Sequence, residues 1–461
     1  MKKLVRYFLY VILTAIFVAI LFVVITFPPV MSGMVAKTMC SCVYVTGRTP
    51  ESVTHEELLV FPGLNRAGVE FNHQDSTVSA QFLWKTSKAV YRKGLGCTLL
   101  AEQSAEEVKS QPIAAPELTP GANDTVSWPT GNIVKDTMLA GVNYTQIEKV
   151  IANGFADKDP ENPVFTHAVI AVYNGQIIGE KYADGYGVNS RLMGWSMTKS
   201  ITNALVGILV KEGKLKVNDP APVEEWKGDD RKAITLNNLL QASSGLEWSE
   251  SYYFPTADFH RMFIHSDDKA AYAVGKKLAH EPNTFFQYSS GSTNILSRII
   301  RQTVGDDNYY TFPYEKLFQK IGMSTAIMEP DASGTFVGSS YSFASARDWA
   351  RFGMLYLNDG VWNGERILPE GWVTYSTTPA PAALNREYGA QIWLNRGNPN
   401  DSSHVEYPGL PNEAIIFDGF EKNFVVIIPS KNLVVARLGV THNRNFSLAD
   451  LVNGIVAALP K

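Results

Sequence analysis

The chain has 461 residues, with 41 basic and 45 acidic side chains and a formal net charge of −4. This balance lacks the basic surface that nucleic-acid-binding proteins need, so we expect no nucleic-acid partner. The eight histidines are scattered, and no cysteine pair lies near them, which excludes the usual zinc-hydrolase patterns. The sequence also lacks a glycine-rich phosphate-binding loop. We therefore expect neither a metal nor a cofactor.

The N-terminus predicts a membrane helix. Three basic residues within the first six positions precede the uncharged segment 7–27. A helix of that length spans a bilayer core of roughly 30 Å, and the basic residues favour a cytoplasmic N-terminus. Pro28 and Pro29 are expected to end the helix. We predict that residues 1–29 form an uncleaved anchor and that the rest of the chain is exported. A cleaved signal peptide is the alternative, although its apolar core is usually about 7–15 residues long.

Two segments separate the anchor from the main part of the chain. Residues 30–102 contain loosely alternating apolar and polar runs, which predict a small strand-rich unit. Residues 103–130 are rich in Pro, Ala, Glu and Ser, a composition typical of a linker or a strap. Residues 131–461 are then the main domain.

All three cysteines precede the main domain. An exported chain meets oxidising conditions, so we expect Cys97 to form a disulfide with either Cys40 or Cys42. The third cysteine has no assigned role. Three unpaired thiols are the alternative.

The main domain predicts a mixture of helices and strands. Apolar runs on both sides of Asn174-Gly175 predict a β-hairpin over residues 167–180, because Asn-Gly favours the tight turn that joins two strands. The helical and loop-rich stretch 220–367 predicts a helical lobe. Later patterns predict two strands that return to the sheet and a last helix that packs on it, at residues 424–428, 434–438 and 448–459.

The segment after Gly194 carries a candidate nucleophile. Ser196 and Lys199 are three residues apart at the start of an apolar helical pattern, so their side chains share one face of the helix. The apolar surroundings should lower the pKa of Lys199, as a general base requires. The alternative is structural: Ser196 caps the helix and Lys199 reaches the surface.

A second motif supplies the partners of this pair. The run Tyr288-Ser289-Ser290 follows about 90 residues later, and a tyrosine hydroxyl can relay a proton to a leaving group. The chain holds another S-x-x-K at Ser266–Lys269, which we interpret as solvated surface because acidic neighbours would keep its amine charged. Gly194–Thr198 lacks the second glycine of the Gly-x-Ser-x-Gly elbow, which excludes an α/β-hydrolase.

These motifs, with further blocks along the chain, resemble the beta-lactamase-related serine hydrolases: class C beta-lactamases, DD-peptidases, family VIII esterases and 6-aminohexanoate-dimer hydrolases. The resemblance covers about residues 160–445 and is strongest in these runs: Gly-Trp-Ser-Met-Thr-Lys-Ser-Ile-Thr at 194–202, Leu-Leu-Gln-Ala-Ser-Ser-Gly-Leu at 239–246, Tyr-Ser-Ser-Gly-Ser-Thr-Asn at 288–294, Ser-Ala-Arg-Asp-Trp-Ala-Arg-Phe-Gly at 345–353, and Asn-Asp-Gly-Val-Trp-Asn-Gly at 358–364. It implies an α/β (α+β) fold in which an antiparallel sheet flanked by helices lies beside an all-helical lobe. Together with the N-terminal helix, which predicts export, it leads us to expect a protein anchored in a bacterial inner membrane with its catalytic domain on the periplasmic side.

The sequence departs from the class C pattern at two places. Ser290 stands where class C enzymes have Asn. This replacement of Asn by Ser is similar to the aminohexanoate-hydrolase and esterase branches. The Lys-Thr-Gly motif is missing, and segment 410–421 occupies its place before an apolar strand. The lost lysine would help to bind a beta-lactam carboxylate, so its absence argues against efficient beta-lactam turnover.

The resemblance and the residues together predict an acyl-transfer site. Ser196 attacks a carbonyl carbon, while Lys199 and Tyr288 accept the proton as a neutral amine or through a tyrosinate. Ser290 is expected to bind the Lys199 ammonium or the substrate. The oxyanion hole should combine the Ser196 N–H with an N–H near residues 417–420.

Two residues of this last segment are further substrate-binding candidates. Gly419 lies on the predicted strand, and Asp418 would favour a cationic substrate if it lines the site; a surface Asp-Gly turn is the alternative. The leading prediction is a membrane-anchored hydrolase of a small-molecule amide or ester. The alternatives are a penicillin-binding DD-peptidase or weak beta-lactamase, and a catalytically silent envelope scaffold.

Overall fold

One long helix opens the chain, a small sheet follows, and a larger sheet with helices on both faces completes it. The computed structural model describes residues 2–114, 116, 124–135, 137–157, 159–398, 405–442 and 445–460. Its helices are α1 (Lys2–Tyr44), α2 (Pro50–His55), α3 (Ala105–Lys109), α4 (Tyr144–Asn153), α5 (Thr198–Lys211), α6 (Leu236–Leu240), α7 (Asp258–His265), α8 (Lys269–Val274), α9 (Ser290–Val304), α10 (Asp306–Tyr309), α11 (Ala346–Leu357), α12 (Trp372–Ser376) and α13 (Leu448–Ala457). Its strands are β1 (Gly68–Asn72), β2 (Thr77–Phe82), β3 (Lys85–Arg92), β4 (Gly96–Leu100), β5 (Thr166–Tyr173), β6 (Gln176–Tyr182), β7 (Leu192–Met193), β8 (Ile327–Met328), β9 (Ser342–Ala344), β10 (Val361–Trp362), β11 (Glu365–Arg366), β12 (Trp393–Leu394), β13 (Ile415–Gly419), β14 (Asn423–Ile428) and β15 (Leu433–Gly439).

The larger sheet is antiparallel and has the strand order β12-β13-β14-β15-β5-β6. Asn174 and Gly175 have φ values of 49° and 75°, the left-handed conformation that the turn between β5 and β6 requires. Helices α5 and α11 cover one face of the sheet, and α4 and α13 cover the other. The predicted mixed fold with an antiparallel sheet is confirmed.

The helical lobe differs from the prediction in two details. Helices α6–α10 form it, but the stretch 220–367 also contains the short strands β8–β11, and α11 packs on the larger sheet instead. The expectation that Ser266–Lys269 is solvated surface is wrong. Lys269 is only 3% exposed and its ammonium donates to the Ser266 carbonyl, while Asp267 accepts three backbone N–H groups from residues 101–103. This turn therefore connects the helical lobe to the N-terminal extension through hydrogen bonds.

Helix α1 does not end at Pro28 and Pro29, contrary to the sequence-based expectation. Its apolar first half is exposed and is long and apolar enough to cross a membrane. Its second half, from Val30 onward, is buried against the small sheet β1-β2-β3-β4 and against α7. Tertiary packing on this second half compensates for the two hydrogen bonds that the prolines remove.

A disulfide joins α1 to the small sheet. Cys40 pairs with Cys97 of β4, which is one of the two predicted pairings, and Cys42 is a buried free thiol. The hydrophobic core that contains Val35 and Leu99 continues without a break into the main domain. The extension and the main domain thus share one core.

The predicted linker falls partly outside the described residues, namely at 115 and 117–123. Its described part begins with the short helix α3 and ends against the main domain. The Trp128 indole donates to the Gly175 carbonyl, and the Arg351 guanidinium lies over the Trp128 ring and donates to the Pro129 carbonyl. This end of the segment is a strap on the domain surface.

Candidate active site

The candidate nucleophile lies on the turn that starts α5. A 3₁₀ turn over Trp195–Met197 leads directly into α5, so Ser196 lies at the N-terminal, electropositive end of a buried helix. Lys199 is one turn further along, and its side chain is 2% exposed. Its Nζ lies 3.2 Å from Ser196 Oγ and donates to it, as helical spacing predicts.

The second motif lies at the start of a neighbouring buried helix. Ser289 caps α9 by accepting the Ser292 N–H at 3.0 Å, which places Tyr288 just before the helix and Ser290 in its first turn. Helices α5 and α9 pack together, so Lys199 Nζ reaches Ser290 Oγ at 3.1 Å and lies 4.7 Å from the centre of the Tyr288 ring. Lys199 is therefore close to three other predicted site residues, Ser196, Tyr288 and Ser290.

Glu250 is a fifth member of the site, and sequence reasoning missed it. It lies in an irregular segment before α7, and its carboxylate accepts hydrogen bonds from the Ser290 hydroxyl, the Ser290 N–H and the Trp248 indole. Gly291 makes room for this arrangement, because a Cβ there would lie 2.6 Å from the Trp248 ring. Ser290 thus links the Lys199 ammonium to a carboxylate.

Burial favours the neutral forms of the Lys199 amine and the Tyr288 phenol. Burial lowers the pKa of Lys199 to about 8, while the charges of Glu250 and Asp418 act in the opposite direction. Burial raises the pKa of Tyr288 well above its usual value, and a hydrogen bond with Ser196 only partly offsets this. Near neutral pH an appreciable fraction of Lys199 is uncharged, whereas Tyr288 keeps its proton.

Strand β13 lies on the other side of Ser196. The short strand β12 pairs only with Ile415 and Ile416, so the end of β13 that carries Asp418 and Gly419 is not covered by it. A Cβ on Gly419 would lie 2.2 Å from the Gly194 carbonyl oxygen, so glycine allows the strand to approach the nucleophile turn. This is the segment where the sequence predicts the second oxyanion donor.

Asp418 lines a cavity of about 310 Å³ beside this strand end. Tyr252, Phe420 and Lys422 also line the cavity. The Tyr407 hydroxyl donates to Asp418 at 2.6 Å. Burial raises the pKa of Asp418 to about 7, although the Tyr407 hydrogen bond acts against this shift. The charge of Asp418 also acts on the pKa of Lys199, so the two side chains are related by electrostatics, although Lys199 does not line this cavity.

A signal for Glu250 was weak but present in the sequence. Trp248 and Glu250 follow the run at 239–246 that carries part of the family resemblance. No local pattern, however, distinguishes Glu250 from the nearby Glu247, which is exposed. Only the tertiary contact with Ser290 identifies it.

Among the described residues, no group of three or more His, Cys, Asp or Glu side chains is arranged to hold a metal ion.

Comparison with known proteins places this chain in a family. The family model described as "Beta-lactamase" matches residues 160–453. The 6-aminohexanoate-dimer hydrolase of Paenarthrobacter ureafaciens is 24% identical over 225 residues, which are 45% of this chain and 56% of that protein. The chain thus aligns with little more than half the length of this curated relative.

Solved structures show the same fold. A putative 6-aminohexanoate-dimer hydrolase from Bacillus anthracis superposes with a TM-score of 0.51 at 24% identity, over 64% of this chain and 81% of that one. A family VIII carboxylesterase superposes with a TM-score of 0.53 at 15% identity, over 71% of this chain and all of that one. Because the family model covers more than half of its length, this chain belongs to the beta-lactamase-related family of serine hydrolases.

Proposed function

We propose that this protein is a membrane-anchored serine hydrolase that cleaves an amide or ester bond through an acyl-enzyme on Ser196. The observation that carries the proposal is the buried Lys199 ammonium, which contacts Ser196 Oγ and has a pKa of about 8. A base with a pKa near the working pH is suited to take the proton of a serine hydroxyl. The relatives described as 6-aminohexanoate-dimer hydrolases and carboxylesterases support an amide or ester substrate.

The proposed reaction begins with proton transfer. Neutral Lys199 takes the Ser196 proton while Oγ attacks the carbonyl carbon, and the tetrahedral oxyanion is stabilised by the Ser196 N–H and an N–H of β13. Tyr288 keeps its own proton because its pKa is raised, so it acts as a relay that donates to the leaving group and is reprotonated from Lys199. Water then hydrolyses the acyl-enzyme, with Lys199 again as the base. Ser290 and Glu250 hold Lys199 in place.

Asp418 supports a preference among substrates. Its carboxylate lines the cavity beside Gly419, and above pH 7 it is mostly ionised. We infer that the site disfavours anionic acyl groups and favours a substrate with a cationic end, such as the free amine of an amino-acid oligomer. The absence of a Lys-Thr-Gly motif on β13 argues against a DD-peptidase or a beta-lactamase.

The anchor is part of the same proposal. Helix α1 runs without interruption from its exposed apolar half into a half that is buried in the core, which favours retention of the helix over its removal as a signal peptide. The Cys40–Cys97 disulfide supports an oxidising compartment, and we propose that the domain faces the periplasm.

The test is covalent labelling of the full-length protein in detergent with a fluorophosphonate. We expect labelling of the wild type and its loss in Ser196→Ala, with the thermal transition unchanged. Ser266→Ala is the matched control, because Ser266 begins the second S-x-x-K, and it should label like the wild type. No labelling of folded wild type would overturn the proposal in favour of a silent scaffold. A chromogenic ester, a chromogenic cephalosporin and a D-alanyl-D-alanine peptide then define the substrate class.

A further inference from the structure

The hairpin between β2 and β3 supplies a hydrogen bond that α1 lacks. Proline has no N–H, so Pro28 leaves the carbonyl of Val24, four residues earlier, without its helical donor. The Trp84 indole donates to this carbonyl at 2.8 Å. Trp84 comes from the two-residue turn between Phe82 and Lys85. The turn is therefore fixed to α1 at the outer end of its apolar half.

With α1 as the proposed anchor, this position lies at the depth of the bilayer boundary. The exposed apolar residues of α1 continue as far as Ile25, and the helix is buried in the protein from Val30 onward. Val24 therefore belongs to the lipid-facing segment, and the turn that contacts it lies beside that segment. An unpaired carbonyl is unfavourable where water is scarce, and the Trp84 indole satisfies this one.

The turn has a composition that its backbone does not favour. Leu83 and Trp84 are 64% and 57% exposed, and Leu83 has a φ of 50°. Two-residue hairpins normally place Asn or Gly in this left-handed conformation. An exposed Leu-Trp pair is thus unfavourable both for the turn and for a surface in water. At a lipid boundary the exposure of these two side chains becomes favourable, because tryptophan is enriched at membrane interfaces.

Basic residues lie next to the turn. Lys85 and Lys88 of β3 line a cavity of about 350 Å³ together with Pro29, so the cavity lies near the point where α1 enters the domain. His265 and Glu106 line the same cavity, and burial together with the charge of Lys85 lowers the pKa of His265. Lys85 and Lys88 carry two positive charges against the one carboxylate of Glu106, so this surface suits the phosphates of anionic lipids.

We propose that the Leu83–Trp84 turn is a second membrane contact, which inserts into the headgroup boundary of an anionic phospholipid leaflet, with Lys85 and Lys88 binding lipid phosphates. This inference rests on the proposed anchor. Together with α1 the turn gives two points of contact, and the Cys40–Cys97 disulfide ties the helix to the sheet that carries the turn. The domain is then held in one orientation on the membrane.

The test places a fluorescent probe on the turn of the full-length protein. Leu83→Cys is labelled with an environment-sensitive dye, while Cys42 is buried and the other two cysteines are paired. The protein is reconstituted into vesicles of phosphatidylcholine with or without phosphatidylglycerol, and lipids that carry a quencher near the headgroup are added. Leu384→Cys is the matched control, because Leu384 is equally apolar, is 78% exposed and belongs to the main domain.

We expect the label at position 83 to be quenched at least threefold more than the label at 384. Quenching should increase with phosphatidylglycerol, and Lys85→Gln with Lys88→Gln should remove that increase. Equal quenching at the two positions would overturn the insertion of the turn. Quenching that does not depend on phosphatidylglycerol would overturn the role of the lysines. Extraction of the chain by alkaline carbonate would instead refute the anchor, and fluorophosphonate labelling reports on the hydrolase separately.

Discussion

The charge of Glu250 should set the pH at which the candidate nucleophile becomes active. Hydrogen bonds of 3.1 Å and 2.5 Å through Ser290 Oγ place Lys199 Nζ within about 5.6 Å of the Glu250 carboxylate. At an effective dielectric constant near 20, a charge pair at that separation is worth about 3 kcal/mol, or roughly two pKa units. Glu250 is partly exposed, so solvent screening reduces the expected effect to about 1–2 units.

Glu250→Gln removes this negative charge and keeps the shape of the side chain. The pKa of Lys199, about 8 in the wild type, should then fall, because the carboxylate favours the charged amine. The rate of fluorophosphonate labelling depends on the neutral amine, so in the wild type it should rise with pH with a midpoint at about pH 8. In the variant the midpoint should move down by about 1–2 pH units, and labelling at pH 6 should be roughly tenfold faster relative to the plateau.

The control for this experiment is Glu247→Gln. Glu247 is exposed three residues earlier on the same segment, so its substitution changes the net charge equally without touching Ser290. Its labelling profile should match that of the wild type. A midpoint that stays in place in Glu250→Gln, or that moves to higher pH, would refute the reasoning that Glu250 holds the amine in its charged form.

Two further substitutions test the substrate preference and the junction with the anchor. We expect the wild type to prefer a cationic ester over its neutral isostere by roughly tenfold, which is about 1.4 kcal/mol for one screened charge pair. This preference should grow between pH 6 and 8, because the Asp418 carboxyl, with a pKa of about 7, ionises there. Asp418→Asn should abolish the preference. A preference that survives the substitution would contradict this role. Cys97→Ser opens a disulfide with a sequence separation of 57 and should lower the free energy of unfolding by about 4 kcal/mol, measured by denaturant titration of the full-length protein. In reducing buffer the wild type and this variant should unfold at the same denaturant concentration, and a difference there would assign the loss to another cause.

The features that the sequence could predict are those encoded by nearby residues. The Asn174-Gly175 pair specifies a tight turn through its own backbone preferences, so the β5–β6 hairpin was predictable. The spacing of Ser196 and Lys199 places both on one helix face once the apolar pattern indicates a helix, and the structure brings them into contact.

The features that the sequence did not reveal depend on partners far along the chain. Pro28 and Pro29 indicate a helix end, but Trp84, some 56 residues later, pairs with one of the carbonyls that they leave free. Lys269 was expected on the surface because its neighbours are acidic. The structure buries it instead, because Asp267 beside it binds the backbone of residues 101–103. Tertiary contacts override local preference at each of these positions.

The Trp195–Met197 turn, which carries the candidate nucleophile, has a strained backbone conformation, and the N-terminal extension helps to hold it there. Trp195 and Glu421 have φ values of 47° and 64°, which cost energy for residues other than glycine. The Trp195 indole donates to the Glu421 carboxylate at 3.0 Å, so each strained residue helps to hold the other. Cys42 and Arg48 line the same small cavity as this pair, and the Arg48 charge opposes the rise that burial causes in the Glu421 pKa. The end of the long first helix and the segment after it therefore pack behind the candidate nucleophile, which makes the extension a structural part of the site.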